Sequence, residues 1–304
     1  MKFAVFSDLH YDIIPDAERR IDEFIASAIR HNVDFMIDLG DFCEPKDENK
    51  KLLKKIKDSK IPCFFTIGNH NTDKCSIEKA TKFFGIDNSY YSFIWDDVKF
   101  IILDANYIKK PNGHLQYYKR NYDKSTDEYP YVPPHEIDWL KKELQDEHIY
   151  YIILSHQGLY NDFMKRGISN RKEIQDILIN AGENGKNILI CMNGHDHGTD
   201  YKQINGIHYY TLNSISYIWQ GCQEKFSYTK EIHDKYRGLE NMILYEESFH
   251  VIVTINENHN IMIDGMEGRY QKHSPQDIGM EMYYNGVSIE AKTISAFIPN
   301  LKDN

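Results

Sequence analysis

The stretch Lys2-Phe3-Ala4-Val5-Phe6-Ser7-Asp8-Leu9-His10 sets the pattern of the chain. Phe3 to Phe6 is a short unbroken apolar run, the mark of a strand buried on both faces. It leads straight into Asp8 and His10. A carboxylate and an imidazole thus stand in the loop just beyond a strand end.

Working outward, the pattern returns along the chain. Residues 35–39 read as a strand ending at Gly40-Asp41, and 61–67 as one ending at Gly68-Asn69-His70. Residues 150–154 lead to His156, and 187–192 to Gly194-His195-Asp196-His197. Helices separate these strands. Over 16–31, Ile21, Phe24, Ile25, Ala28 and Ile29 fall on one apolar stripe. Further helices are expected over 47–57, from a Ser76 cap to about 84, over 135–147, and from an Asn170 cap to about 180. Residues 90–95 and 98–103 read as a hairpin about Asp96-Asp97, and 207–216 as another strand. Alternating strands and helices mark an α/β protein. The hairpin of 246–255 with 260–266 alternates polar and apolar residues, which fits an antiparallel piece on the edge or face of the core. The chain divides into a core over 1–220, carrying a polar, aromatic insert at about 105–134, and a C-terminal β-rich extension over 221–304.

A length of 304 residues suffices for one large domain with a buried core. At 41% hydrophobic and 27% charged, the composition is that of an ordinary globular protein. The net charge of −10 and the lack of a Lys/Arg block weigh against a nucleic-acid partner. No apolar run approaches the roughly 18–20 residues of a membrane helix, and none reads as a signal peptide. Cys43, Cys63, Cys75, Cys191 and Cys222 are scattered, odd in number and without CxxC spacing. They read as reduced thiols, which gives a cytoplasmic expectation.

The recurring strand-end motifs carry the chemistry. Strands in one sheet lie about 4.8 Å apart, so loops leaving the same edge meet in one crevice. Carboxylate, carboxamide and imidazole donors without thiolate suit Mn, Fe, Zn or Co and do not choose among them. Each motif alone is weak, since Asp-x-His or Gly-Asp is ordinary turn chemistry. All five in order are specific.

On Asp8-Leu9-His10, Gly40-Asp41, Gly68-Asn69-His70, His156 and Gly194-His195-Asp196-His197, the chain resembles the calcineurin-like metallophosphoesterase superfamily over roughly residues 1–215. It looks like the branch holding class III cyclic-nucleotide phosphodiesterases, diphosphate-cleaving enzymes and purple acid phosphatase relatives. The resemblance implies a four-layer αββα sandwich of two mixed β-sheets flanked by helices. It implies two divalent metal ions: one on Asp8, His10, Asp41 and His197, the other on Asp41, Asn69, His156 and His195, with Asp41 bridging. His70 would face the substrate and assist the leaving oxygen. The expected reaction is in-line attack on phosphorus by a metal-activated hydroxide. One departure stands out: many members follow Gly-Asn-His with an acidic residue, which supports the histidine, and here that residue is Asn71.

The rest is less specific. In the insert, His114, Tyr117, Tyr118 and Arg120 are candidate substrate contacts, as are Tyr11, Tyr160 and Arg166 outside it. A structureless insert of this length fits a lid. Asp196 reads as a solvent-facing loop residue or as a support for its neighbours. The expected substrate is a small phosphodiester or nucleotide-like diphosphate, with a phosphomonoester as the alternative. A repair-type nuclease and a non-catalytic scaffold are further readings. The C-terminal region could extend a sheet, cover the site or mediate a homodimer.

Overall fold

Side chains alternate along the first strand, and this alternation dictates the layers. Phe3 and Val5 enter one apolar cluster, Ala4 and Phe6 another, so the strand needs a partner layer on each face. The computed structural model describes residues 1–123, 125–219 and 228–300. In it, Lys2–Phe6, Phe35–Asp38 and Cys63–Phe65 pair in parallel in one six-stranded sheet. Val251–Ile255, Ile261–Asp264 and Ala296–Ile298 continue that sheet from the free side of Lys2–Phe6, all antiparallel. In the second six-stranded sheet, Ile207–Thr211, Asn187–Asn193, Tyr150–Ser155 and Val98–Leu103 run parallel. Asp200–Ile204 and Tyr91–Trp95 close its edges antiparallel.

The two sheets face each other across one core. Phe35 stacks on Phe3 at 4.9 Å and meets Phe100 of the opposite sheet edge-on at 5.4 Å. Helices Ala17–Arg30, Lys50–Asp58 and Ile77–Phe84 cover the outer face of the first sheet. Pro134–Glu143 and Arg171–Glu183 cover that of the second. The result is the four-layer αββα order, and each six-stranded sheet is mixed.

Several elements differ from the sequence reading. Of the first-helix stripe, Ile21, Phe24 and Ala28 are buried, but Ile29 is 52% exposed. Arg20 is buried instead. It binds both Asp16 oxygens and donates to the carbonyls of Ile215, Tyr245 and Glu247, so tertiary hydrogen bonds bring a charge inside where periodicity placed only apolar residues. Asn170 does not cap the following helix; its side chain bonds both backbone groups of Val132. Ser76 does cap, accepting from Lys79 N. The insert is not structureless. Gly113–Gln116, Tyr107–Lys110 and Glu128–Tyr131 form a three-stranded antiparallel sheet. Cys43, Cys75 and Cys191 are buried free thiols and Cys63 is half-buried, whereas Cys222 lies outside the described residues. Among the described residues, no helix is long and apolar enough to cross a membrane.

Candidate metal centre

Both sheets end at one place. Asp8, Asp41, Asn69 and His70 leave the parallel strands of the first sheet; His156, His195 and His197 leave those of the second. At this junction the backbone turns left-handed on non-glycine residues: Asp8 (φ 57°), His10 (φ 48°), Asp41 (φ 58°), His195 (φ 69°) and His197 (φ 52°). Such conformations are costly for L-residues and persist where the surrounding structure enforces them. Two glycines make the crowding possible. A Cβ at Gly40 would lie 2.6 Å from His156 Nδ1, and one at Gly68 only 2.2 Å from Asp41 Oδ1.

The side chains converge on two overlapping clusters, Asp8/His10/His197 and Asp8/Asp41/His156. Asp8 Oδ1 lies 3.6 Å from His10 Nε2 and 3.3 Å from His197 Nε2. Asp41 Oδ2 lies 3.0 Å from His156 Nε2 and 3.8 Å from His10 Nε2, so Asp41 faces both groups. His195 Nδ1 stands 3.3 Å from His156 Nε2. Asn69, largely buried, turns its carboxamide oxygen inward without a hydrogen-bond partner among the described residues.

The outward-facing atoms are anchored. His156 Nδ1 donates to the Leu39 carbonyl and His197 Nδ1 to the Tyr217 carbonyl, both at 2.8 Å, leaving each Nε2 aimed inward. Asp8 Oδ2 accepts from Ser7 Oγ and from His195 N at 3.0 Å; Asp41 Oδ1 accepts from His70 N at 2.8 Å. What remains free points at the centre.

The charge balance fits divalent cations. Burial disfavours the Asp8 carboxylate, but His197 and His10 hold its pKa well below the usual range, and Asp41 is likewise held low by His156 against its burial. Two anions therefore sit in the interior. Burial pushes His10 down to about 4 and His195 well below the ordinary value. His156 is raised instead, to about 9, because Asp41 outweighs its burial. Asp8 Oδ1, like Asn69 Oδ1, is buried without a hydrogen-bond partner among the described residues. Orphaned oxygens, paired anions and the imidazoles of His10 and His195, held neutral by burial, make a donor set that cations complete.

His70 stands at the edge, its ring 4.9 Å from that of His10. Its Nδ1 meets Asp73 Oδ2 at 2.7 Å. Asn71 does not support it. The Asn71 oxygen accepts from Gly68 N and Asp41 N, and its amide donates to the Cys43 carbonyl. The acid that the motif lacks at position 71 is supplied by Asp73, two residues further on. A carboxylate three residues past the histidine was the available signal.

The family follows from comparison with known proteins. A family model described as calcineurin-like phosphoesterase matches residues 1–199. The chain belongs to that family. The phosphoesterase is therefore a metal-dependent phosphoester hydrolase, with a dinuclear site as the family implies. A dimetal phosphatase from Danio rerio has a similar structure (TM-score 0.58, 13% identity, 89% of this chain and 96% of that one). So does GAP50, the anchor in the inner membrane complex of Plasmodium (TM-score 0.57, 16% identity, 99% of this chain and 89% of that one). At such identities the likeness is one of fold. No curated protein sequence matches the chain significantly.

Two chambers open onto the phosphoesterase centre. The larger, about 730 Å³, is walled by Tyr117, Tyr122 and Tyr129 of the insert and by Met164, Lys165 and Arg166. The smaller, about 230 Å³, lies toward Ile13, Arg237 and Met242. Both are lined by Asp41, His70, Arg120 and Trp219. Of the substrate contacts expected from the sequence, Tyr117, Arg120 and Arg166 reach a chamber. Tyr11 does not; its hydroxyl bonds Glu18. His114 packs with Tyr107 and His135, Tyr118 lies under Lys119, and Tyr160 bonds Asp200, none of them lining either chamber. Asp196 is not solvent-facing: it is buried and accepts from Arg166 Nε at 2.9 Å and Asn161 Nδ2 at 2.7 Å. Arg166 also donates to the His195 carbonyl, tying the wall to the histidine loop. Trp219, Met164 and Lys165 carried no motif signal; tertiary packing alone brings them here.

Proposed function

We propose that the protein cleaves a small phosphodiester or diphosphate, a substrate with an organic group on each side of the reacting phosphorus. The carrying observation is the pair of chambers meeting at Asp41 and His70. A monoester has one organic group and would leave a chamber empty.

Asp8, His10, Asp41 and His197 would hold one cation, and Asp41, Asn69, His156 and His195 the other. Bound there, two divalent cations supply a water of lowered pKa and neutralise charge on the phosphoryl oxygens. The chain's own groups do the rest. Leu39 and Tyr217 carbonyls fix the imidazoles that receive the cations. Burial opposes a charge on His70, but Asp41 and Asp73 override it and raise its pKa, which favours the protonated ring. That proton passes to the departing oxygen, and His70 regains one from solvent. Arg120, Lys165 and Arg166 line the larger chamber as cationic contacts for a second phosphate or other anionic group. The aromatic faces of Tyr122, Tyr129 and Trp219 suit a planar ring.

The test is hydrolysis of bis-p-nitrophenyl phosphate against p-nitrophenyl phosphate by Mn²⁺-loaded protein. A higher kcat/KM for the diester is expected. A clear preference for the monoester would replace this reading with a phosphatase, in which the Tyr-rich wall selects a phosphorylated metabolite.

A further inference from the structure

His70 Nδ1 is committed to Asp73, and Asp73 is committed in turn. Its second oxygen accepts the Tyr117 hydroxyl, and Arg120 lies 3.7 Å from the first. Tyr117 and Arg120 both belong to the insert, so the group beside the reacting centre is held from a segment far away in sequence.

The insert is itself fixed at its root. Tyr117 N donates to the Asn106 carbonyl at 2.8 Å, and the ring stacks on Tyr129 at 4.8 Å with 17° between planes. Asn106 is buried. Its amide donates to the Ile67 carbonyl at 2.7 Å, two residues before Asn69, and its oxygen accepts from Gln157 beside His156 at 3.0 Å. The same network that anchors Tyr117 therefore touches the loops carrying two of the candidate ligands. Tyr117 is 4% exposed, and a phenol so placed has little freedom to swing.

We propose that Tyr117 and Asp73 are positioning residues: they hold the Nδ1 edge of His70 so that Nε2 faces the leaving oxygen. The insert thus contributes to bond cleavage as well as to the wall. This rests on His70 serving the leaving group, as proposed above. In the step, a water-derived oxygen bonds to phosphorus as the P–O bond to the leaving group breaks; the electron pair of the broken bond stays on the leaving oxygen, and the His70 Nε2 proton neutralises it. Such assistance matters most for alcohols, which depart poorly as anions, and least for nitrophenol, which departs well unaided. The arrangement suits substrates whose leaving group is an aliphatic or sugar hydroxyl.

The experiment compares wild type, Tyr117→Phe and Asp73→Asn on aryl phosphodiesters with leaving groups graded from p-nitrophenol to p-methoxyphenol. Tyr117→Phe keeps the ring stack and removes only the hydroxyl. The loss should grow with leaving-group basicity: relative to wild type, kcat/KM on the p-methoxyphenyl ester should fall roughly tenfold or more further than on the p-nitrophenyl ester, most in Asp73→Asn. In a His70→Ala background Tyr117→Phe should add nothing. A loss equal across the series, or additive with His70→Ala, would make these residues merely structural and overturn the proposal. A readout independent of turnover is the downfield Nδ1–H proton resonance of His70 in Zn²⁺-loaded protein, expected in wild type and lost in Asp73→Asn. Persistence of that signal in Asp73→Asn would also overturn it. Failure of wild type on every diester, with the resonance behaving as expected, would refute the proposed reaction and leave the positioning intact.

Discussion

The two sides of the site are built by different means. On the metal side, strand ends and left-handed loop residues hold the donors, and Asp8, Asp41, His156 and His197 are each at most 2% exposed. On the insert side, hydroxyl, ring and guanidinium contacts hold the wall, and the Arg120 side chain is 73% exposed. The first construction tolerates no adjustment. The second carries the wall, but through Tyr117 and Asp73 it also holds His70, so only wall residues outside that chain can be re-cut without touching the group beside the centre. In the reading proposed above, reaction type rests on the rigid side together with His70, and substrate choice on the remaining wall residues.

The largest expected effect is on the rigid side. Asp41→Ala removes the group facing both histidine clusters and should cost more than about 10⁴ in kcat, with loss of both cations by elemental analysis. Retention of two cations would show that Asp41 does not join them. His70→Ala comes next: kcat should fall roughly 10²–10⁴ with the cation content unchanged. Full activity would remove His70 from the mechanism.

A smaller effect is a pH dependence of cation binding. In the metal-free protein His156 holds its proton up to about 9, and a cation on Nε2 must displace it. Apparent affinity should therefore rise about tenfold per pH unit below that value and level off above it. Calorimetry at two pH values checks this, and a flat profile would place no cation on His156.

The smallest lies beneath the insert. Asp104 N donates to Glu136, and burial raises the pKa of both carboxyls; Asp104 Oδ2 and Glu136 Oε2 have no hydrogen-bond partner among the described residues. A raised carboxyl pKa means the folded state holds a proton that the unfolded chain releases. Stability is thus lost as pH rises from the ordinary carboxylate range through the raised value. Glutamine stays neutral, so Glu136→Gln should stabilise by about 1 kcal/mol near pH 8 and by less near pH 5. Thermal unfolding at both pH values decides it, and a variant less stable at pH 8 would mean that the charge is needed.

The same contrast explains what the sequence revealed. A strand end, a glycine and a donor are local signals, so the apolar runs and the strand-end motifs marked the strands and the candidate donors, but strand spacing alone described one sheet edge; the division into two sheets entered only with the family resemblance. Tyr117 and Tyr118 are neighbours of identical type, yet one is buried on Asp73 and the other lies exposed under Lys119. Only pairing across the insert sheet separates them. Asn71 misled for a related reason: the support for His70 moved two residues along the chain, and Asn71 went to stitching Gly68, Asp41 and Cys43 together. The C-terminal strands could be read as antiparallel, but their place beside Lys2–Phe6 is a long-range register that only the fold defines.

The most direct measurement is a paired titration: cation stoichiometry and diester hydrolysis followed together as Mn²⁺ is added to metal-stripped wild type. Two bound equivalents are expected, with turnover appearing as the second fills. Turnover by the stripped protein, or two equivalents bound with no phosphoester cleaved, would contradict a two-metal hydrolase.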